Sequence, residues 1–419
     1  MNYKRSIFGK VPKGWTLSNI GEIVELRQGL QISKKYRKNS FHEGYIPLLK
    51  ITDLPSKKFS EFVTNIKEQY IANKDDIIYT RTGQVGLVYT DVEGCVHNNC
   101  FKVIVDYSKF DKDFIYYLLN NKIFRDYSNL IASGSVQKDL THKSFKTITI
   151  AYPTLNEQRQ IGKILRTLEE KININNKIIK TLDEIAQIIF KRWFVNFEFP
   201  NKDGKPYKLS GGGFIESDLG IIPDGWKTGK FKDININFDS RRIPLSKLDR
   251  EKRNKIYAYY GAASLMDYVD DYIFDGSFIL MGEDGTVVDK EGYPILQYVW
   301  GKFWVNNHAH VLQGKPPFSN EYMYLLLKNT NVNSIITGAV QPKINQKNLN
   351  SLRVIIPNKE TLNQFDKVVL PLFEKKKNLS DQNINLIEIR DTLIPKLISG
   401  AIRINQAEKE VKECLQKSN

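Results

Sequence analysis

The chain has 419 residues, is 41% hydrophobic and 11% aromatic, and its 62 Lys and Arg residues outnumber 47 acidic ones to give a net charge of +15. That apolar content excludes a disordered polymer, and the length predicts two or three folded units. No run of about 18 apolar residues is present to span a membrane, and the segment Met1 to Phe8 turns polar too soon for a secretion leader.

In chain order, the first strong signal is a repeat. Val11-Pro12-Lys13-Gly14-Trp15 returns as Ile222-Pro223-Asp224-Gly225-Trp226, and Gly134-Ser135-Val136-Gln137 returns as Gly338-Ala339-Val340-Gln341. From there a constant offset of 204 runs on through Lys143/Lys347, Pro153/Pro357, Gln160/Gln364, Leu182/Leu386 and Ile185/Ile389. A unit of about 200 residues is far too long for a solenoid, so this is a duplicated domain. Each copy opens with a mixed segment. In copy one, β-branched and aromatic runs bounded by Gly, Asp and Asn predict strands at 45–51, 76–80, 86–90 and 100–105, then a short helix over 113–120. Copy two predicts strands at 255–260, 277–281, 295–300 and 303–305, and a helix over 321–328.

Each copy closes with a long helical pattern, over 155–194 and 359–399. In the first, the seam rows are Ile161, Leu168, Asn175, Leu182, Ile189 and Leu165, Ile172, Ile179, Ala186, Trp193. Nine of these ten are apolar, with Asn175 near the middle, as in a coiled coil whose register is set by one buried polar residue. The second helix carries Phe365, Leu372, Leu379, Leu386 and Leu393 in one row and Val369, Lys376, Asn383, Arg390 and Leu397 in the other. Pro371 and Pro395 are expected to kink or interrupt it. Each helix alone exposes an apolar stripe over roughly 60 Å, so the two are expected to pair, antiparallel because a globular domain lies between them. The polar stretch 195–221, with Gly211-Gly212-Gly213, serves as the linker that permits the reversal.

The expected architecture is therefore α+β: two duplicated mixed α/β domains separated by two long helices forming an antiparallel coiled coil, pseudo-two-fold symmetric. Its segments are 1–154, a helix over 155–194, a linker over 195–221, a second domain over 222–358, a helix over 359–400 and a tail over 401–419. The basic excess favours a polyanion, through counterion release from a phosphate backbone. Acidic lipid is the competitor, but no segment has the pattern of a basic interfacial helix. A duplex has local two-fold symmetry, so such a chain would meet two half-sites in equivalent orientation with an unread gap between them.

Two Pro-x-Gly-Trp starts, two variable domains, Gly-[Ser/Ala]-Val-Gln turns before Pro-capped long helices and the closing Leu393-Ile394-Pro395-Lys396-Leu397-Ile398-Ser399-Gly400 resemble the specificity subunit of type I restriction-modification systems. The resemblance covers nearly the whole chain. It implies that residues 1–154 and 222–358 are target recognition domains, each reading one half of a bipartite site in double-stranded DNA. It also implies that the helices set the spacer and dock two methyltransferase subunits, with restriction/translocase subunits as further partners. S-adenosylmethionine would then be bound by the methyltransferase partner, and ATP and magnesium by the restriction partner, with no cofactor in this chain. The alternative is a coiled-coil protein-binding adaptor without DNA specificity.

Catalytic motifs are missing. An adenine methyltransferase needs an acceptor side chain before Pro-Pro-aromatic, and in Lys315-Pro316-Pro317-Phe318 the Lys has none. No Gly-x-Gly-x-x-Gly follows a strand and no phosphate-binding Gly-Lys-[Ser/Thr] loop occurs. His308-Ala309-His310 are read as two histidines on one face of a strand without a third ligand, hence no metal site. Asp75-Asp76 and Asp270-Asp271 are read as turn and strand-start residues. Cys95, Cys100 and Cys414 are too few for a disulfide framework and are expected to be reduced thiols in a cytoplasmic protein. No catalytic residue and no metal ligand is assigned.

Base readout needs Arg, Lys, Asn, Gln or Ser/Thr on an element entering a groove. The loop Thr80-Arg81-Thr82-Gly83-Gln84 is rich in such groups, giving Arg81, Thr82, Gly83 and Gln84 as candidates. The recurrent turn adds Ser133, Ser135, Gln137 and Lys138, with Thr337, Gln341 and Lys343 in copy two. It either approaches a backbone closely or simply positions the helix that follows. Arg27, Gln28, Lys50 and Thr52 in copy one and Ser240, Arg241 and Arg242 in copy two complete the DNA-binding set. Asn98-Asn99 and Asn306-Asn307 are read as ordinary turns before a strand.

Overall fold

The computed structural model describes residues 5–338 and 341–417, the last four without side chains. Ala339, Val340, the first four residues and the Cys414 side chain thus lie outside the described residues. The chain forms two compact units, Met1–Ile174 with Asp381–Asn419, and Asn175–Ser380.

The first unit holds two four-stranded sheets. One is antiparallel, in the order Val24–Gln28, Cys100–Val105, Ile77–Thr80, Val88–Tyr89. The other runs Phe62–Val63, Ile46–Leu49, Gly94–Val96, Ile71–Ala72, with its central pair parallel. The same plan recurs in the second unit. Asn235–Asn237, Ala309–Gly314, Phe278–Gly282 and Leu296–Val299 make the antiparallel sheet. Leu265–Val269, Tyr257–Tyr260, Lys302–Val305 and Phe274–Asp275 make the mixed one, again with a parallel central pair. Strands that alternate charged with apolar residues, such as Val24-Glu25-Leu26-Arg27-Gln28, escaped the sequence reading because half their side chains face water.

The predicted short helices form as Lys112–Leu119 and Asn320–Lys328. The Asp111 carboxylate accepts from the Phe114 N–H at 3.0 Å and the Ser319 hydroxyl from the Tyr322 N–H at 3.1 Å, satisfying donors that the first turn leaves open. In the first unit these elements enclose Tyr79, Phe101, Phe124 and Phe145, all fully buried. The Tyr79 and Phe145 rings meet edge to face at 5.1 Å, and the Tyr79 hydroxyl donates to Ser128 Oγ at 2.8 Å.

The long helices span Leu155–Phe190 and Lys359–Ser399. Every position of the two seam rows in the first helix is buried or half-buried, Asn175 completely so. In the first unit the start of one helix packs on the end of the other. Ile161, Leu165, Leu168 and Ile172 share a core with Leu386, Leu393 and Leu397. Glu157 is paired with Arg403 at 2.9 Å, and Glu169 lines a cavity with Arg390, so the segments run antiparallel there. In the second unit the converse halves meet, also antiparallel: Asp183 with Lys376, and Phe194 against Phe365 with ring centroids 4.9 Å apart.

Two expectations need correction. The second helix runs through Pro371 and Pro395 without interruption, although each proline costs a backbone hydrogen bond. Buried Val369, Phe373, Leu393 and Leu397 on either side hold those turns in place. The stretch 195–221 is not merely a polar tether. The first long helix gives way to a π-helical turn, Lys191–Val195, that buries Trp193 and Phe194, and within the stretch Phe199 stacks on both Tyr207 and Trp226. The tail over 401–419, for which the sequence analysis makes no structural reading, holds a helix, Ile404–Lys417, whose Ala407 is fully buried in the first unit's core.

Candidate nucleic-acid interface

The loop after Ile77–Thr80 and the turn at 133–139 are far apart in sequence but clasp each other. The Gly83 N–H donates to the Lys138 carbonyl at 2.9 Å, and the Leu140 N–H to the Arg81 carbonyl at 2.9 Å. Ser133 and Asp139 exchange backbone hydrogen bonds of 3.0 and 2.8 Å, which close the turn. One carboxylate completes the clasp: Asp139 accepts from Arg81 and from the Thr82 hydroxyl, both at 2.6 Å. Ser135, Val136 and Gln137 project to solvent from the tip, as does Gln84, while Lys138 is exposed with its ammonium donating to the Asn129 carbonyl at 2.5 Å.

The second unit builds the same clasp from other residues. The Gly285 N–H donates to the Pro342 carbonyl at 3.2 Å, the Ile344 N–H to the Glu283 carbonyl at 2.9 Å, and Thr337 and Lys343 exchange bonds of 2.8 and 2.7 Å. Gly285 therefore stands where Gly83 stands, and Glu283 where Arg81 stands. The sequence reading missed Glu283-Asp284-Gly285. Its one available signal is a glycine three residues past Gly282, at the end of an apolar strand. The ion pair is inverted: Lys343 lies 3.6 Å from Glu283.

Behind this second clasp sits a buried charge network. His310 is fully buried, with Nδ1 2.6 Å from Asp239 and Nε2 2.7 Å from the Ile344 carbonyl oxygen. Burial alone would raise the Asp239 carboxyl. Hydrogen bonds from His310, Asn237 and the Val311 N–H outweigh it and hold the group below its ordinary value. Asp239, Glu283 and His310 bring three potential metal-ligating atoms within 4.8 Å, a convergence the sequence reading did not anticipate. Both imidazole nitrogens face oxygen acceptors, and Glu283 takes Arg242 at 2.6 Å, which is an ion-pair network rather than a cation cradle. His308 does not share the face of His310: it is half exposed in a turn and bonds Asp284.

The other candidates are scattered. Lys50 is spent within the first unit on Ser60 at 2.7 Å and Glu61 at 3.2 Å, and Thr52 bonds Asp53. Arg27 is half-buried and lines a cavity with Lys102, while Gln28 is exposed beside the Asn98 carbonyl. Arg242 is held by Glu283 and by the Asn307 and Ala309 carbonyls. Arg241 lies over the Phe274 ring at 4.8 Å, and Ser240 is exposed beside it. Cys95 and Cys100 are buried and free, and burial pushes both thiols up to about 12. Among the described residues no helix is long and apolar enough to cross a membrane.

Residues 12–184 and 223–388 each match the family model described as the type I restriction modification DNA specificity domain. Among curated relatives, the chain is 25% identical to the type I restriction enzyme MjaIX specificity subunit of Methanocaldococcus jannaschii, covering 96% of this chain and 97% of that one. It is also 25% identical to the HindI specificity subunit of Haemophilus influenzae, over 93% and 99% of the two chains. A crystal structure of the type I restriction-modification S subunit from M. genitalium shares the fold, with a TM-score of 0.59 at 16% identity over 94% of this chain and 98% of that one. The chain belongs to the type I restriction-modification DNA specificity family and carries that family's domain twice.

Proposed function

We propose that this chain is the specificity subunit of a type I restriction-modification complex, non-catalytic by itself, in which each recognition domain reads one half of a bipartite site in double-stranded DNA. One observation carries the reading: both units present the same clasped pair of loops, at corresponding places of the same two-sheet fold, on a chain of net charge +15. The exposed polar groups at the clasps, Gln84, Ser135, Gln137 and Gln341, have the donors and acceptors that base edges require. Arg81, Thr82, Lys50 and Arg242 are engaged inside the protein and act through their neighbours. The long helices set the spacer and dock methyltransferase subunits, and a row of apolar residues outside the paired seam, Ile178, Ile185 and Ile188, is exposed for that purpose. Methyl donor, ATP and magnesium belong to partner subunits on this reading; in this chain the converging Asp239, Glu283 and His310 are engaged with one another and with Arg242.

The test is selection of duplexes from a random pool by the full chain assembled with its methyltransferase subunits. Enrichment of two fixed blocks around a gap of fixed length supports the assignment. No enrichment, with binding insensitive to salt, returns the chain to the protein-adaptor alternative.

A further inference from the structure

The two clasps share their backbone hydrogen bonds but not the sign of their charges. Arg81 is 14% exposed and pairs with Asp139 at 2.6 Å; at the matching places stand Glu283, 14% exposed, and Lys343. The side-chain bond from Ser133 Oγ to the Asp139 carbonyl, 3.1 Å, also has its match from Thr337 Oγ1 to the Lys343 carbonyl, 3.1 Å. What the two copies have in common at this point is attraction between loop and turn, not a cation at a given position. A residue needed to touch phosphate would keep its positive charge in both copies, and the first position does not.

We infer that Asp139 in the first domain, and Glu283 with Lys343 in the second, are positioning residues whose ion pairs fix the recurrent turn in the pose from which it meets DNA. The turn needs such a tie because residues 133–138 are all exposed and hold no buried side chain of their own. Exposed backbone hydrogen bonds open readily when nothing anchors them. Preorganising the turn moves the ordering cost from binding to folding. The inference rests on the DNA-reading assignment only for its effect on half-site choice; the tie itself is a property of the free chain.

The experiment uses the full chain assembled with its methyltransferase subunits, with Asp139→Ala, Arg81→Glu, and the double exchange Arg81→Glu with Asp139→Lys that copies the second domain's polarity. Amide hydrogen exchange of Gly83, Ser133 and Asp139 is followed alongside binding to duplexes altered in one half-site. The single variants should exchange faster at those amides while the core amides stay protected. They should also lose about tenfold in discrimination at the first domain's half-site alone. The double exchange should recover both readouts to within about threefold. Unchanged exchange in Asp139→Ala overturns the clasp. Faster exchange with discrimination intact, or a double exchange no better than the worse single variant, overturns the positioning role. A parent complex that discriminates neither half-site overturns the DNA-reading assignment instead, and the exchange result still decides the clasp.

Discussion

The carbonyl oxygen of Gln137 lies 2.3 Å from where a side chain on Gly134 would begin, and the Gln341 carbonyl stands 2.2 Å from the same point on Gly338. Both glycines have φ near +90°, a conformation that side chains resist. Gly134→Ala and Gly338→Ala should each cost the turn about 1–3 kcal/mol of local strain and leave the cores intact. Gly134→Ala should weaken discrimination at the first domain's half-site only, and Gly338→Ala at the second's only. Binding to duplexes scrambled in one half checks this, and equal loss at both halves from either substitution contradicts it.

Asp183 is the hub of an ion triad in the second unit, bonded to Lys328 at 2.6 Å and to Lys376 at 2.5 Å. Removing it leaves two ammonium groups side by side with their common counterion gone. Asp183→Ala should destabilise the second unit by about 2–4 kcal/mol, read as a lower unfolding midpoint in urea.

The same residue sets a pH dependence. Burial alone would raise the Asp183 carboxyl, but bonds from Lys328 and Lys376 outweigh it and hold the group below its ordinary 3.8. A depressed carboxyl contributes stability that is fully present above that ordinary value and is lost as pH falls through the folded one. Urea midpoints between pH 6 and pH 3 should therefore fall less steeply in Asp183→Asn than in the parent. Parallel curves contradict the triad's role.

Much of this was legible in the sequence. The duplication, both long helices and their seam rows follow from spacing alone, because burial of Ile161, Leu165, Leu168 and Ile172 demands that periodicity. The pairing of the 80–84 loop with the 133–139 turn was not legible, since each looks like an isolated polar turn until the sheet brings them together. Glu283 was invisible for a related reason: the offset of 204 sets Lys343 against Asp139, but only the shared backbone bonds set Glu283 against Arg81 and bring it to Lys343. Pro371 misled because the local cost of a proline is plain in sequence while the packing that offsets it is not.

The two faces of the first long helix should separate by experiment. Leu165 is fully buried in the seam, so Leu165→Ala should cost about 2–5 kcal/mol, seen as a lower thermal midpoint. Ile188 is 65% exposed, and Ile188→Asn should leave the midpoint within about a degree while reducing co-purification of methyltransferase subunits. Full recovery of those subunits with Ile188→Asn would remove that row from the docking surface.

As a specificity subunit, this chain supplies two-block DNA specificity to a partner methyltransferase. The most direct measurement is genome-wide adenine methylation by long-read sequencing in hosts expressing the methyltransferase with this chain and without it. A bipartite methylated motif should appear only when the chain is present. A methyltransferase of proven activity that leaves no such motif in the presence of the chain would contradict that role.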